Sequence, residues 1–314
     1  MRKYDPDFCL WALCFDDLSY KQLCAFNDPD FRPISLNEFL QDDVSLRAAR
    51  KNRSLVEFYF SCTASLPLFV FGRDPEINQV TYLDADLFFF NNPQLVFNEI
   101  SFASIAIIPH HFPDHLRNLE AMGIFNVGWV SFRRDEEGLR CLSHWREQCL
   151  EWCFDRVEGT RFGDQGYLNQ WPELYQNLII LQQKGANLAP WNVGDVPLSV
   201  ENGTVWVDGD PLVFFHFQSL ARVSPGIYKL NFRKYKTRPS WLVKKEIYHP
   251  YIQQLEAILS SQNLTVNDER LRSPNDTVSI FSNPFNPSII SFVRKLTKTF
   301  KDWIGGDYIF TRFH

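Results

Sequence analysis

The sequence predicts an α/β protein with a mixed, mostly parallel central sheet flanked by helices and a helical extension at the C-terminus. Short continuous apolar runs of strand length recur along the chain, and amphipathic stretches of helix length separate them. Such runs are typical of strands that helices cover on both faces. The chain has 314 residues, 45% of them hydrophobic and 16% aromatic, which is enough for one large domain with additions or for two domains.

Charge and cysteine content limit the classes of partner. The formal net charge of −5 argues against nucleic acid as the main partner. The seven cysteines are odd in number, scattered and without a paired CxxC pattern, which predicts reduced thiols in a cytosolic protein. The apolar run at residues 8–15 is too short for a signal peptide or a membrane span. We therefore expect a cytoplasmic protein that does not act on nucleic acid.

The first predicted unit is a strand, an acidic turn and a helix. The apolar run at residues 8–15 ends in Asp16 and Asp17, and a helical pattern follows. This order opens many nucleotide-binding α/β units. No glycine-rich loop follows the strand, which excludes a P-loop and a dinucleotide fingerprint. Residues 42–71 have a mostly helical pattern, and Pro67 is expected to end or kink that stretch.

The second predicted strand, at residues 79–84, ends in the pair Asp84 and Asp86 within the run VTYLDADLFFF. Residues two apart on an extended backbone point to the same face. Two carboxylates on one face of an otherwise apolar strand are costly unless a cation lies between them. A divalent metal that keeps positions for water or substrate phosphates is the usual cation in such a place. The stretch therefore predicts a metal-bound phosphate site.

Two other interpretations of this pair stay open. The two carboxylates could be solvated turn residues, although apolar residues flank them on both sides. A phosphatase of the haloacid-dehalogenase type also carries Asp-x-Asp after a strand. That pattern expects Thr or Val two residues after the second Asp, where this chain has Phe88, and it belongs on the first strand of its domain.

The following segments continue the alternation of strands and helices. Strands are predicted at residues 102–109 and 125–132, the second interrupted by Asn126 and Gly128, and a helix at residues 135–152.

Two further polar residues, Asp164 and His216, lie on predicted elements, and a predicted hairpin separates them in the sequence. Asp164 opens a short helix in FGDQGYLNQWP, where a first-turn carboxylate is favoured. Glu201-Asn-Gly203 is a strong hairpin signal between two short strands. The last predicted strand, at residues 213–217, carries His216 within an apolar run.

Residues 239–314 are predicted to be an extension to a main domain at residues 1–238. A helix is expected at residues 241–259, followed by a polar linker over about residues 260–287. Residues 287–304 have a basic amphipathic helical pattern. Two interpretations stay open for this last helix: packing against the main domain, which we favour, and peripheral contact with an anionic membrane surface.

Five segments in order carry a resemblance to a known family: TYLDADLFFFNNP, FNVGW, FGDQGYLNQWP, GANLAPWNV and FFHFQSL. Together they resemble nucleotide-sugar-dependent glycosyltransferases of the GT-A fold, and family 8-type retaining enzymes and related nucleotide-diphospho-sugar transferases in particular. The resemblance implies a Rossmann-like catalytic domain at residues 1–238. It also implies transfer of a sugar from a nucleotide sugar, expected to be a UDP-sugar, to a glycan or lipid-linked acceptor, as in polysaccharide biosynthesis.

The resemblance implies roles for individual residues. Asp86 would be the principal ligand of Mn²⁺ or Mg²⁺, Asp84 would bind the metal or the donor ribose, and His216 would be the third metal ligand. Asn126 and Gly128 would lie beside the transferred sugar and the acceptor. The structural alternatives are a satisfied core histidine for His216 and a strand bulge at Gly128.

Further roles follow from the same resemblance. Asp164 and Gln165 would face the reacting sugar carbon from its other side, although Asp164 could instead be a simple helix cap. Asp16 and Asp17 would lie near the base or ribose of the donor, and Arg53 near its diphosphate or base.

The chain departs from the family 8 pattern after the histidine. HxxGxxKPW is usual there, whereas this chain continues from His216 as Phe-Gln-Ser-Leu. The usual phosphate-binding lysine is therefore missing at that place. Lys229, Arg233 and Lys234 are candidates to replace it, and an ordinary solvated basic face is the alternative interpretation of these three.

The expected chemistry sets what the site must contain. A nucleoside diphosphate leaving group needs a divalent cation as Lewis acid, and an oxocarbenium-like sugar carbon needs a nearby carboxylate or amide. With retention, the acceptor hydroxyl attacks on the leaving-group face, or the reaction passes through a covalent bond to Asp164. An inverting GT-A transferase and a catalytically silent scaffold that binds a nucleotide or glycan are the alternatives.

Overall fold

A computed structural model of the chain describes residues 1–261 and 306–310, and these form a mixed α/β fold. The strands there are β1 (Leu10–Cys14), β2 (Phe31–Ser35), β3 (Gln79–Leu83), β4 (Leu87–Phe89), β5 (Ile105–Pro109), β6 (Phe125–Arg133), β7 (Leu178–Ile180), β8 (Leu198–Glu201), β9 (Thr204–Val207), β10 (Asp210–Pro211), β11 (Phe214–His216), β12 (Ala221–Ser224), β13 (Ile227–Lys229) and β14 (Tyr308–Phe310). The α-helices there are α1 (Asp17–Ala25), α2 (Leu36–Leu40), α3 (Val44–Ala49), α4 (Leu55–Thr63), α5 (Ser65–Arg73), α6 (Gln94–Glu99), α7 (Glu136–Glu151), α8 (Trp171–Leu174) and α9 (His249–Ser261).

The central sheet has four strands in the order β3, β6, β5, β7. Helices α5 and α7 cover one face, where Phe132, Trp145 and Trp171 are buried together. Trp129 and Phe214 pack on the other face together with residues of α6. The apolar strands and the apolar faces of the flanking helices thus form a core on both sides of the sheet. The prediction of a mixed sheet flanked by helices is confirmed.

The direction of strand pairing differs from the prediction of a mostly parallel sheet. β6 runs antiparallel to both β3 and β5, and β7 alone runs parallel to β5 in the central sheet. The 3₁₀ helix Asp114–Met122 joins β5 to β6 and turns the chain back beside the strand that it left. Continuous apolar runs report burial on both faces, which is typical of parallel sheets but does not by itself set the direction of pairing.

A bulge interrupts the pairing of β5 with β6. Ile107 pairs with Val130, but the next residue, Ile108, pairs with Asn126, so the β6 residues between these two partners bulge out of the ladder. Gly128 lies in the bulge, as its place in an apolar strand suggested. The residues of the bulge contact the ends of two other strands: the Gly128 carbonyl accepts from the N–H of Asp84 after β3 (3.1 Å), and Asn126 Oδ1 is 3.2 Å from Nδ1 of His216 in β11.

The N-terminal unit follows the predicted order. β1 pairs in parallel with β2, and Asp16 caps α1 by accepting a hydrogen bond from the backbone N–H of Ser19 (2.9 Å). α4 and α5 meet at an angle of 49°, and Pro67 lies in the first turn of α5, where a missing N–H is tolerated. In the described part of the chain no single helix is long and apolar enough to cross a membrane, and only this bent pair passes by length and composition.

Two antiparallel strand pairs, β4 with β11 and β8 with β9, lie near or lead to the segment that carries His216. β4 pairs with β11, which sets Leu87 opposite His216. β8 and β9 form the predicted hairpin, in which Asn202 (φ 51°) and Gly203 (φ 77°) take the left-handed conformations that this tight turn requires. β11 therefore returns beside the segment that carries Asp84 and Asp86.

The described part of the C-terminal extension packs on the preceding residues. The π-helical turn Val243–Tyr248 and α9 bury Tyr248 and Ile252 in one cluster with Phe215 and Phe217. β14 pairs antiparallel with β13. The predicted basic helix at 287–304 and most of the predicted linker lie outside the described residues, and the division of the chain at residue 238 stays a prediction.

Candidate active site

Three side chains from two neighbouring segments form the candidate metal site. Asp84 follows β3, and its backbone N–H donates to the carbonyl of Gly128 (3.1 Å). Asp86 precedes β4, and its carbonyl accepts from the N–H of Phe217 (2.9 Å). His216 ends β11. Ligand atoms of the two carboxylates and the imidazole all lie within 4.8 Å of one another. The structure thus brings together the three residues that the resemblance implies as ligands.

The imidazole lies against both carboxylates. His216 Nε2 is 3.0 Å from Asp86 Oδ1 and 3.7 Å from Asp84 Oδ2. The His216 side chain is 3% exposed, whereas the side chains of Asp84 and Asp86 keep 34% and 41% of their surface. The histidine is therefore the buried side of the cluster, and the carboxylates are its solvent-exposed side.

Burial and charge act against each other at these three groups. Burial raises the pKa of Asp84 above its usual value, the charge of His216 opposes this shift, and the charge of Asp86 adds to it. Burial also disfavours ionisation of Asp86, but the charge of His216 and its hydrogen bond lower the pKa of Asp86 below its usual value. Burial lowers and the two carboxylates raise the pKa of His216, and the carboxylates prevail.

This donor set fits a divalent cation. In the protein without a metal, the two carboxylates raise the pKa of His216, which favours a positive charge on the imidazole beside Asp84 and Asp86. A divalent ion can take that role when Nε2 gives up its proton, because carboxylate oxygens and an imidazole nitrogen are suitable ligands. Three protein ligands leave room for substrate phosphate oxygens around ions such as Mn²⁺ or Mg²⁺.

Tyr82 links the metal cluster to a second part of the site. Its hydroxyl donates to Asp84 Oδ1 (3.0 Å), and burial raises the pKa of Tyr82, so that the phenol stays protonated. The Thr63 hydroxyl donates to the Tyr59 carbonyl (3.3 Å) and lowers the pKa of both Tyr82 and Asp164, so it lies near both side chains. Asp84 and Asp164 are therefore neighbours across Tyr82 and Thr63.

Asp164 carries a buried carboxyl at the start of a short helix. It is 5% exposed and precedes the 3₁₀ helix Gln165–Gln170, and the Trp145 indole fixes its backbone by donating to the Asp164 carbonyl (2.9 Å). Burial raises its pKa to about 7, which the Thr63 hydrogen bond opposes and the charge of Asp84 reinforces. Hydrogen bonds with the backbone N–H groups of Asp164 and Gln165 also oppose the raised pKa, so both interpretations of Asp164, helix end and reacting group, stay predictions.

Gln165 is held by the turn before β6. Its side-chain amide donates to the carbonyl of Met122 (2.8 Å). Gly123 has a φ of 141°, and a Cβ there would lie 3.1 Å from Gln165 Cγ. The close approach of this turn fixes the Gln165 side chain beside Asp164.

Asn126 lies behind His216 rather than on the solvent-exposed side of the cluster. Its Oδ1 is 3.2 Å from His216 Nδ1 and accepts from the N–H of Gly128 (3.1 Å), and its Nδ2 is 3.1 Å from His110 Nε2. Asn126 and His110 are each 5% exposed. His110 in turn contacts the carbonyl of Ile124 through Nδ1 (3.3 Å).

The residues predicted for the donor base and diphosphate have mainly structural contacts. Asp16 caps α1, and Asp17 is the exposed first residue of that helix. Arg53 donates to the carbonyls of Leu150 (3.3 Å) and Glu151 (3.4 Å) at the end of α7. Its guanidinium also lies 4.0 Å from the ring centroid of Phe154. Their roles toward a donor stay predictions.

The three candidate phosphate-binding cations lie at different places. Lys229 is on β13, between β12 and β14. Arg233 and Lys234 lie on the 3₁₀ helix Phe232–Tyr235. Lys234 Nζ is 5.5 Å from the ring centroid of Tyr235, and burial lowers the pKa of Lys234. Burial raises the pKa of Tyr235 and the charge of Asp86 adds to this shift, so Lys234 is on a segment near the metal cluster.

Four residues at the site were not predicted from the sequence: Trp191, Tyr82, Thr63 and His110. Trp191 packs edge-on against both His216 (centroids 5.2 Å apart) and His110 (5.3 Å). Tyr82 and Thr63 connect Asp84 with Asp164 as described above. Trp191 lies in the GANLAPWNV segment, and Tyr82 lies two residues before Asp84, so each had a positional signal. His110 and Thr63 had none, because a histidine after a strand and a threonine in a helix are both common.

No family model matches the chain. Among solved structures it is similar to a glycosyltransferase involved in glycosylation of the major capsid of PBCV-1, with a TM-score of 0.38 and 11% identity over 67% of this chain and 93% of that one. It is also similar to mouse xyloside xylosyltransferase 1 in the apo form, with a TM-score of 0.37 and 13% identity over 57% and 73%. At these TM-scores the likeness carries no conclusion about the reaction of this chain.

Two proteins of Bacillus subtilis (strain 168) are similar in sequence. YfnD is 28% identical over 259 residues, which cover 82% of this chain and 82% of YfnD. YfnF is 30% identical over 235 residues, which cover 71% of this chain and 76% of YfnF. Both are described as uncharacterized proteins, so they carry no activity over. The chain belongs to the protein family of YfnF and YfnD.

Proposed function

We propose that the protein is a metal-dependent glycosyltransferase of the GT-A type that takes a sugar from a nucleotide sugar, a UDP-sugar in the first instance. The observation that carries this proposal is the meeting of Asp84, Asp86 and His216 within 4.8 Å, with the buried carboxyl of Asp164 close beyond Asp84. The cluster of three side chains could hold a cation that binds a diphosphate, and the Asp164 carboxyl could stabilise positive charge on a sugar carbon.

The metal half of the site prepares the leaving group. A divalent cation held by the two carboxylates and the imidazole would act as Lewis acid on the donor diphosphate. Tyr82 keeps Asp84 oriented by its hydrogen bond to Oδ1 (3.0 Å), and the buried ring of His216 keeps Nε2 directed at the same place. Preorganised ligands need no rearrangement during the reaction, which is where such sites gain most of their effect.

The Asp164 half faces the sugar carbon in this proposal. A carboxyl with a pKa of about 7 is partly ionised at neutral pH, and its anionic form can stabilise an oxocarbenium-like carbon. Gln165, held by Met122, would present its amide beside it. We propose transfer with retention of configuration, by front-face attack of the acceptor hydroxyl or through a covalent bond between Asp164 and the sugar carbon.

The remaining contacts of the substrate belong to the same proposal. Asp16 and Asp17 would lie near the ribose or base, and Arg53 and Lys229 would contribute positive charge to the donor site. The acceptor would be a glycan or a lipid-linked glycan. All seven cysteines are unpaired, which agrees with a reducing compartment and supports the expectation of a cytoplasmic protein.

Donor hydrolysis tests the proposal. The full chain is incubated with a panel of nucleotide sugars and Mn²⁺, and release of nucleoside diphosphate is measured against the same panel with EDTA. We expect release from at least one donor, and only with the metal. The configuration of the released sugar, observed by NMR before it mutarotates, distinguishes retention from inversion. A scaffold without catalysis would release no nucleoside diphosphate from any donor, which would contradict the proposal.

A further inference from the structure

A chain of hydrogen bonds runs behind the metal cluster between two backbone groups. At one end the carbonyl of Ile124 meets His110 Nδ1 (3.3 Å), and at the other the N–H of Gly128 meets Asn126 Oδ1 (3.1 Å). Between them His110 Nε2 meets Asn126 Nδ2 (3.1 Å), and Asn126 Oδ1 also meets His216 Nδ1 (3.2 Å). A branch of the chain at Asn126 Oδ1 thus reaches His216, a ligand of the proposed metal.

Backbone groups fix the direction of every bond in this chain. The N–H of Gly128 can only donate, so the Asn126 atom that faces it is the oxygen and the other is the amide nitrogen. The carbonyl of Ile124 can only accept, so His110 carries its proton on Nδ1 and offers a bare Nε2 to the Asn126 amide. The Asn126 oxygen then requires a proton on His216 Nδ1.

This direction has a consequence for metal binding. With its proton on Nδ1, a neutral His216 has its lone pair on Nε2, which is the atom that faces Asp86 (3.0 Å) and Asp84 (3.7 Å). A hydrogen bond to the second ring nitrogen fixes the tautomer and orientation of metal-binding histidines. Reversal of the Asn126 amide would present its NH₂ to His216 Nδ1 and favour the tautomer that cannot bind a metal through Nε2.

Packing protects the chain from water and from rearrangement. His110, Asn126 and His216 are 5%, 5% and 2% exposed, and Trp191 contacts both imidazole rings edge-on. A Cβ on Gly128 would lie 2.4 Å from Asn126 Oδ1 and 2.9 Å from His216 Nδ1, so only glycine leaves room for the contact. The chain is therefore a built feature of the core and not a surface arrangement.

We propose that His110 and Asn126 are positioning residues that hold the metal ligand His216 with its proton on Nδ1 and its Nε2 bare. This inference rests on the proposed function, because it assumes that the cluster binds a divalent cation. His110 would act only through Asn126, as its Nε2 is directed at the Asn126 amide and its side chain is buried. It would bind neither the metal nor the sugar.

The test compares His110→Phe with His110→Gln in the full chain. His110→Phe keeps an aromatic ring but removes the acceptor for the Asn126 amide, whereas Gln restores an acceptor. We expect the affinity for Mn²⁺ without donor, measured by electron paramagnetic resonance, to fall about 10- to 100-fold in His110→Phe and to recover largely in His110→Gln. His111→Asn is the matched control: His111 is an exposed neighbour with a φ of 52°, which Asn tolerates, and its affinity should not change.

A second measurement separates positioning from a general loss of structure. In the ¹⁵N-labelled protein loaded with Zn²⁺, the Nδ1 proton of His216 should give a resonance protected from exchange, and His110→Phe should abolish that protection while the rest of the spectrum stays native. Should His110→Phe fail to fold, Asn126→Asp, which keeps an acceptor for His216, and Asn126→Leu, which does not, serve in its place. Asn126→Asp should bind Mn²⁺ more tightly than Asn126→Leu.

The outcomes distinguish this inference from the proposed function. If the wild type binds Mn²⁺ and His110→Phe binds it equally well with the His216 proton still protected, the positioning role is overturned and the metal site stands. Equal Mn²⁺ affinity in Asn126→Asp and Asn126→Leu would overturn it in the same way. If the wild type does not bind Mn²⁺ at all, the proposed function fails, and the inference that rests on it fails as well.

Discussion

The two halves of the candidate site bury their charges in opposite ways. Asp84, Asp86 and His216 offset one another, and their carboxylates keep 34% and 41% of their side-chain surface. Asp164 is 5% exposed, and burial raises its pKa to about 7. One half is thus arranged to receive a cation, and the other holds a carboxyl whose charge is costly. A site that is only structural would not need both arrangements side by side.

The largest expected effect comes from the metal half. Asp86→Asn removes the carboxylate that His216 contacts most closely (3.0 Å). We expect metal-dependent release of nucleoside diphosphate to fall about 10³-fold, since Lewis-acid stabilisation of the leaving group is worth several kcal/mol. Steady-state assays with Mn²⁺ measure it. Asp195→Asn, at an exposed position, is the control, and activity of Asp86→Asn within tenfold of the wild type would contradict the assignment.

The second prediction addresses the Asp164 half through stability. Its pKa in the folded protein, about 7, lies above the value of 3.8 expected in the unfolded chain. The contribution of this group to the free energy of unfolding is therefore fully present below pH 3.8, where the carboxyl is neutral in both states. It is lost as the pH rises through 7. At about 1.4 kcal/mol for each pH unit, metal-free wild type should lose up to about 4 kcal/mol from this group.

Asp164→Asn should lack that loss. We expect the free energy of unfolding of Asp164→Asn in EDTA, measured by urea titration, to exceed that of the wild type by an amount that grows from pH 4 to pH 7. The same variant should lose donor turnover, so stability and activity would change in opposite directions. A difference between Asp164→Asn and the wild type that stays constant with pH would mean that Asp164 is ionised at low cost.

The third prediction tests the close packing of Gly128 against Asn126 and His216. Gly128→Ala places a Cβ 2.4 Å from Asn126 Oδ1 and 2.9 Å from the His216 ring, so it should displace that contact. We expect a loss of about 1–3 kcal/mol of stability and a weaker affinity for Mn²⁺. Gly72→Ala is the control, because nothing lies within 4 Å of a Cβ there and alanine suits the helix α5. Unchanged Mn²⁺ affinity in Gly128→Ala would contradict this expectation, because it would show that Asn126 and His216 accommodate the methyl group without loss of the metal site.

The smallest expected effect concerns the edge of the metal half. Lys234→Gln removes a positive charge from the segment whose Tyr235 lies near Asp86. We expect the KM for the donor to rise about tenfold with little change in kcat, as for loss of one charged hydrogen bond to phosphate. Lys229→Gln, made in parallel, decides which lysine replaces the one missing after His216. If neither variant changes KM, the donor diphosphate is bound without either of them.

The comparison also shows what could be predicted from the sequence. Asp84 and Asp86 were identifiable because carboxylates two apart at the end of an apolar strand are unusual, and His216 through the resemblance of the segments around it to a known family. These are local features, and the structure confirms that they meet. The hairpin at Asn202 and Gly203 was likewise set by local turn chemistry.

The contacts behind these residues could not be predicted in the same way. The position of His110 behind Asn126 depends on the bulge in β6, which Gly128 suggested, and on the antiparallel return of β6 beside β5, which has no pattern in the sequence. The backbone position of Asp164 depends on Trp145 of α7, whose indole donates to the Asp164 carbonyl. Contacts between residues far apart in the chain follow from the topology, which local periodicity does not specify.

The central claim is that the cluster of Asp84, Asp86 and His216 binds a nucleotide sugar through a divalent metal, and thermal unfolding tests it most directly. A ligand that binds only the folded state raises its stability. The full chain is heated with each nucleotide sugar, with and without Mn²⁺. We predict that at least one UDP-sugar raises the Tm only when Mn²⁺ is present, and that Asp86→Asn abolishes the shift. A shift that is absent with every donor, or equal without the metal, would contradict the account.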